Sequence, residues 1–158
     1  TTPTSAPATV VLPRSTLATR YRHGDLPPGF IVTSAYFLAT REGVDAERER
    51  VAHHLARRRA TQPLDQPSCG SVFRNPPGDF AGRLVESVGL KGHTIGGARI
   101  SERHGNFIVN HGGAASLDVM QCIRLAFDTV LHHTGVRLVP EVHVVGDWPP
   151  ELWPLPAG

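Results

Sequence analysis

The stretch from Ser116 to Thr134 constrains the fold most. Val119, Ile123, Phe127 and Val130 recur there on one helical face, Ser116 stands at an N-cap and Gly135 where a left-handed residue ends a helix. An apolar helical face of that length has to be buried against a second layer. Short runs rich in β-branched and aromatic residues can supply it: FIVTSAYFL at Phe30–Leu38, Ile95–Ile100, NFIVN at Asn106–Asn110 and RLVPEVHVV at Arg137–Val145. Each predicts a strand. Two further helices are expected. One runs from an Asp45 N-cap to about Arg59, with Val51 and Leu55 as its apolar seam and Arg57, Arg58 and Arg59 complementing the dipole at its end. The other is short, capped by Asp79, with Phe80, Leu84 and Val88 one turn apart and Gly89 as its stop. The segment from Gln62 to Asp79 is expected to be a Pro/Gly-rich loop. Helices and strands mixed in this way give an α+β class.

Composition narrows the function. The 158 residues are 40% hydrophobic and 19% charged, enough for the core of one domain, and 16 Gly with 14 Pro imply many turns. A net charge of +2 gives no basic arm, so no nucleic-acid partner is expected. No apolar run approaches the ~18 residues of a membrane helix. The first twenty residues lack the basic start and apolar block of a secretory signal. Cys69 and Cys122 alone do not make a disulfide framework, so a cytoplasmic location is expected. The chain opens at Thr1 without Met, as a part of something longer would. No internal repeat is visible.

Motif scans by themselves name no reaction. The pairs His53-His54 and His132-His133 are adjacent on helices and face different ways, no HExxH is present, and neither cysteine has a CxxC partner, so no metal site is expected. GLKGHTIGGARI meets neither phosphate-loop fingerprint, and Ser71 is not in a G-x-S-x-G. One loop is nonetheless dense in special residues. Gly70 permits close approach, Ser71 offers a hydroxyl, Asn75 an amide, and Pro76-Pro77 stiffens the exit. A structural turn would account for each singly. Glu141 lies mid-run among Val139, Val142 and Val144, either at a site or on a solvent face with His143.

PSCGSVFRNP, AGRLVESVGLKGHTIGGARISERHGNFIVN and RLVPEVHVVG together resemble the C-terminal part of the UDP-N-acetylenolpyruvoylglucosamine reductase (MurB) family, and RYRHGDLPPGFIVTSAYFL is similar to that family's YR-x-S segment and the strand after it. The likeness runs from about residue 15 to 146, in the family's order. It implies a substrate-binding domain of MurB type at 44–147, preceded by the last strands of a flavin-binding domain at 15–43, with a linker or tail at 1–14 and a Pro-rich tail at 148–158. It further implies cytoplasmic peptidoglycan precursor synthesis: reduction of UDP-GlcNAc-enolpyruvate to UDP-N-acetylmuramate, with FAD as cofactor and NADPH as reductant. By the match of GSVFRNP, Ser71 would protonate C2 of the enolpyruvyl group. By the match of PEVHVVG, Glu141 would sit beside the developing enolate, and by that of YRHG, Arg22 would supply fixed positive charge. Tyr21, Arg59, Arg74 and Asn75 would bind the UDP-sugar, and Gly70, Ser71 and His143 would meet the flavin.

Three positions depart from the family pattern. Gly24 stands where Ser is usual, His143 where many members have Arg, and Gln62 about where Lys is often seen. No long insertion separates the Phe37 strand from the helix at 45, as in the family's shorter subclass. The N-terminal FAD-binding lobe has no counterpart in this sequence, so it would act in cis or in trans. The alternative expectation is a non-catalytic UDP-sugar-binding module, or a fragment inactive without that lobe.

Overall fold

A computed structural model describes residues 8–39 and 43–155, and the chain falls into two units, Thr1–Glu42 and Gly43–Gly158. In the first unit a 3-10 turn at Arg14–Thr16 leads into a hairpin of β1 (Thr19–Arg20) and β2 (His23–Gly24). Arg20 pairs with His23, so Tyr21 and Arg22 make the turn. Arg22 takes φ +57°, a left-handed conformation uncommon for a residue with a side chain.

Phe30–Leu38, expected as a strand, has no regular structure. Ile31 is 86% exposed, Tyr36 90% and Phe37 87%. β-propensity describes a side chain that suits a pleated, half-buried surface. A strand exists only by pairing, and among the described residues nothing pairs with this one.

The second unit begins with α1 (Val44–Thr61). Its N-cap is Gly43 at φ +70°, not Asp45; Asp45 lies inside the first turn with Glu47, where negative charge also suits the helix dipole. None of its residues is buried. The following segment is not all loop: β3 (Ser68–Ser71) forms within it. Then come α2 (Ala81–Ser87), β4 (Thr94–Ile95), β5 (Ala98–Ile100), β6 (Phe107–Asn110) and α3 (Ser116–Thr134). The strands make one antiparallel sheet in the order β3-β6-β5-β4. The run expected as one strand at Ile95–Ile100 turns at Gly96-Gly97 into a hairpin, with Ile95 opposite Ala98. Gly96 is at φ +52°, and a side chain at Gly97 would strike the backbone of Gly112 and Ala114. Packing thus accounts for these glycines.

α3 lies across β4, β5 and β6 and meets α2. Its N-cap is Ala115, one residue before the expected Ser116, and Asp118 does the capping from inside the first turn. The Asp118 carboxylate accepts the N–H groups of Ala115 and Gly97, each at 3.0 Å, tying helix start to hairpin. Gly135, at φ +69°, ends the helix as expected. Ile123, Phe127 and Val130 enter the core with Val72, Phe73, Leu84, Val85, Ile100 and Leu138.

One expectation fails near the C-terminal end. Residues 137–145 form only an isolated antiparallel bridge, Phe73 to Pro140, because the Val72 N–H that the next rung toward Glu141 would use goes to the Asn106 carbonyl instead. Within the described residues of the Pro-rich tail, Trp148, Leu152 and Trp153 pack against the core, and Arg124 donates to the Glu151 carbonyl at 2.6 Å.

Candidate functional site

The loop rich in special residues is built from β3 outward. β3 pairs with β6 through Ser68–Val109 and Ser71–Phe107, with an irregularity between them. Gly70 sits in that irregularity at φ +81°, a bulge geometry that glycine adopts without strain and that re-aims the following side chain. The next side chain is Ser71, half-buried at the end of β3. A Cβ added at Gly70 would meet nothing within 4 Å, so the backbone there is open to close approach.

Beyond Ser71 the chain is held on both edges. Glu141 N–H donates to the Val72 carbonyl and Arg74 N–H to the Val139 carbonyl, both at 2.8 Å. The backbone of Glu141 therefore runs directly beside the residue that follows Ser71. On the opposite edge is Asn106, a residue the sequence reading did not single out. Its carboxamide accepts the Phe73 N–H at 2.9 Å and donates to the Phe73 carbonyl at 2.8 Å. The signal was an Asn opening an apolar run, and most such residues are turn formers.

Asn75 is exposed, and its side-chain oxygen takes the Ala81 N–H at 3.1 Å. Asp79 accepts the Phe80 N–H at 2.7 Å and grips Arg83. The N-cap of α2 is thus Phe80, one residue beyond the expected Asp79, and the first helical N–H, that of Ala81, is taken from outside the helix by Asn75. The Arg83 guanidinium and the Phe80 N–H hold the Asp79 carboxyl down at about 2. Arg74 is exposed beside Asn75.

Cys69 and His143 line one groove, of about 250 Å³, with Ser116, Met120, Val142 and Trp148. Its walls are mainly apolar, with a few polar groups at the rim, which suits a flat ring system more than a phosphate. Gly70 and Ser71 continue the chain from Cys69 but do not themselves line the groove. Burial pushes the Cys69 thiol up, the reverse of what an activated cysteine nucleophile needs. Cys122 is driven higher, to about 11, by its desolvation in the core.

The structure thus brings Gly70, Ser71, Arg74, Asn75, Glu141 and His143 onto two adjoining segments, 70–75 and 141–143. Arg59 is not among them; it stands exposed in the last turn of α1. Tyr21 and Arg22 belong to the first unit, where the Arg22 guanidinium lies over the Tyr21 ring at 5.6 Å. Among the described residues no group of three or more His, Cys, Asp or Glu could hold a metal ion, and no helix is long and apolar enough to cross a membrane.

Residues 62–145 match the family described as UDP-N-acetylenolpyruvoylglucosamine reductase, C-terminal domain. The chain belongs to the UDP-N-acetylenolpyruvoylglucosamine reductase family. A reductase of that name from Methylococcus capsulatus is 54% identical over 128 residues, covering 80% of this chain and 42% of the relative. One from Anaeromyxobacter dehalogenans is 46% identical over 140 residues, covering 89% and 43%. The crystal structure of the reductase from Thermus caldophilus superposes with a TM-score of 0.71 at 38% identity, over 85% of this chain and 47% of that one. The α+β architecture is that of the MurB C-terminal domain. The chain spans about two fifths of the length of the curated relatives it matches.

Proposed function

We propose that this chain is the substrate-binding part of a cytoplasmic reductase that converts UDP-GlcNAc-enolpyruvate to UDP-N-acetylmuramate for peptidoglycan synthesis. The observation that carries the reading is the family's C-terminal match coinciding with the juxtaposed segments at Ser71 and Glu141. FAD, reduced by NADPH, supplies hydride to C3 of the enolpyruvyl group when it is bound. Gly70, Ser71 and His143 are the residues that would flank the flavin.

The remaining chemistry falls to side chains. Electron density arriving at C3 leaves a carbanion at C2, conjugated to the carboxylate, which needs stabilisation and then a proton. Ser71 provides the proton; its hydroxyl is a weak acid, sufficient only toward so basic a carbon in a fixed geometry. Glu141 stands beside the enolate, where only its protonated form donates a hydrogen bond. Arg22 keeps its charge at every working pH and balances the anion. Arg74, Asn75, Arg59 and Tyr21 serve the UDP-sugar, the guanidinium groups suiting the diphosphate.

The test is Ser71→Ala in the reductase that carries this chain with its flavin-binding part. Flavin reduction by NADPH stays intact and product formation is lost. Unchanged turnover overturns the role of Ser71. The alternative reading is a non-catalytic UDP-sugar-binding module, or a fragment inactive without a separate FAD-binding lobe. Purified chain carrying stoichiometric flavin would contradict that reading.

A further inference from the structure

We propose that Asn106 is a positioning residue for the proton-transfer step, setting the segment Ser71–Asn75 from behind; this rests on the reading of Ser71 as the proton donor. Asn106 is 4% exposed, one of only two buried polar residues among those described. In an antiparallel pair the N–H and C=O of one residue face the same neighbour. The Asn106 carboxamide takes that neighbour's place, accepting from the Phe73 N–H at 2.9 Å and donating to its carbonyl at 2.8 Å. The Asn106 main-chain carbonyl also accepts the Val72 N–H at 2.9 Å. This side-chain rung begins where the β3–β6 register ends at Ser71–Phe107. Just upstream, Gly70 puts a bulge into the strand. A bulge loosens the ladder at the residue whose hydroxyl must be fixed, and Asn106 restores the hold directly after it.

The rung needs one donor and one acceptor at one length. Aspartate is isosteric and keeps the acceptor, but it has no donor for the Phe73 carbonyl. Glutamine keeps both and pushes the segment out by a methylene. A shift of about 1 Å at a reacting group can cost on the order of 100-fold in rate.

The experiment compares Asn106→Asp, Ser71→Ala and the double variant in the reductase that carries this chain with its flavin-binding part. Rates are expressed per bound flavin, and the NADPH and enolpyruvyl half-reactions are measured separately. With Asn106→Asp, flavin reduction by NADPH is expected within about twofold of the parent while transfer to the enolpyruvyl substrate slows about 10- to 100-fold. The double variant is expected to be no slower than Ser71→Ala alone. Amide exchange supplies a readout apart from activity: protection at Val72 and Phe73 falls at least about tenfold while that of Val130 in α3 holds. Equal slowing of both half-reactions, or loss of protection at Val130 as well, overturns the proposal in favour of a general structural role. If Asn106→Asp does not fold, Asn106→Gln is put to the same measurements, with the same split expected and the same outcomes overturning it. A normal enzyme from Ser71→Ala removes the premise, whereas a slow Ser71→Ala enzyme beside a normal Asn106→Asp one sinks this inference and leaves the Ser71 reading standing.

Discussion

α1 and α3 are nearly equal in length, 18 and 19 residues, yet they are helices for different reasons. α3 buries Met120, Cys122, Ile123, Ala126, Phe127 and Val130. α1 buries nothing, and its ordered features are local: Arg48–Asp45 at 3.4 Å, an Arg50–Glu47 pair, and Arg58 and Arg59 at the end that favours cations. Exposed pairs of that kind contribute only about 0.2–0.5 kcal/mol each. One helix is held by the tertiary structure around it, the other by its own sequence. Regular backbone is therefore no guide to where the fold's free energy lies.

The largest effect should come from α3. Phe127 is 1% exposed, at the centre of the cluster that joins sheet, α2 and helix, and Arg137 lies over its ring at 5.8 Å. Phe127→Ala removes that packing and leaves a cavity, with an expected loss of about 3–5 kcal/mol in denaturant unfolding. A loss below about 1 kcal/mol would mean that α3 is not the organising helix and would erase the contrast with α1.

A smaller effect is expected at His104, also within the packed layer. Its ring lies 5.0 Å from that of Phe107, and burial lowers its pKa below the usual 6.5, with Lys91 acting in the same sense and Glu86 against it. Its Nδ1 also accepts the Asn106 N–H at 3.2 Å, a bond the neutral ring makes. The unfolded chain then binds a proton that the folded chain resists. Stability is complete above about pH 6.5 and declines as pH falls from there through the lower folded value. The decline should be modest, because the ring is only half-buried. Denaturation midpoints between pH 7 and 5 should fall in the parent and fall less in His104→Gln; equal slopes would place the titrating group elsewhere.

What the sequence disclosed follows the same division. α3, its Gly135 stop and β6 were legible because burial imposes a period and glycine marks a left-handed turn. Phe30–Leu38 misled, since nine residues suited to a sheet say nothing about whether a neighbouring strand exists. β3 was hidden for the opposite reason: Ser68, Cys69, Gly70 and Ser71 have little β-propensity and are a strand only because β6 pairs with them. At the candidate site, Ser71, Asn75 and Glu141 are proposed from motifs that resemble the family's. The hydrogen bonds that the Asn106 and Asn75 side-chain oxygens accept from the Phe73 and Ala81 N–H groups could not be named in that way, because partners 33 and 6 residues apart leave no local pattern.

The smallest effect is expected in α1, and it tests the contrast from the other side. Leu55 belongs to the apolar seam of α1, yet it is 45% exposed and Val51 54%. Leu55→Ala deletes little buried surface and replaces leucine with the best helix former, so the two contributions oppose each other. Unfolding of this chain should shift by less than about 0.5 kcal/mol in either direction. The same substitution in the longer reductase asks a second question, because 18 ordered residues without a buried one form a surface that further polypeptide can cover. A loss of about 2 kcal/mol or more there, beside no change in this chain, would identify α1 as a helix whose apolar seam is satisfied outside these residues. A comparable loss in this chain alone would show that α1 draws on the core as α3 does.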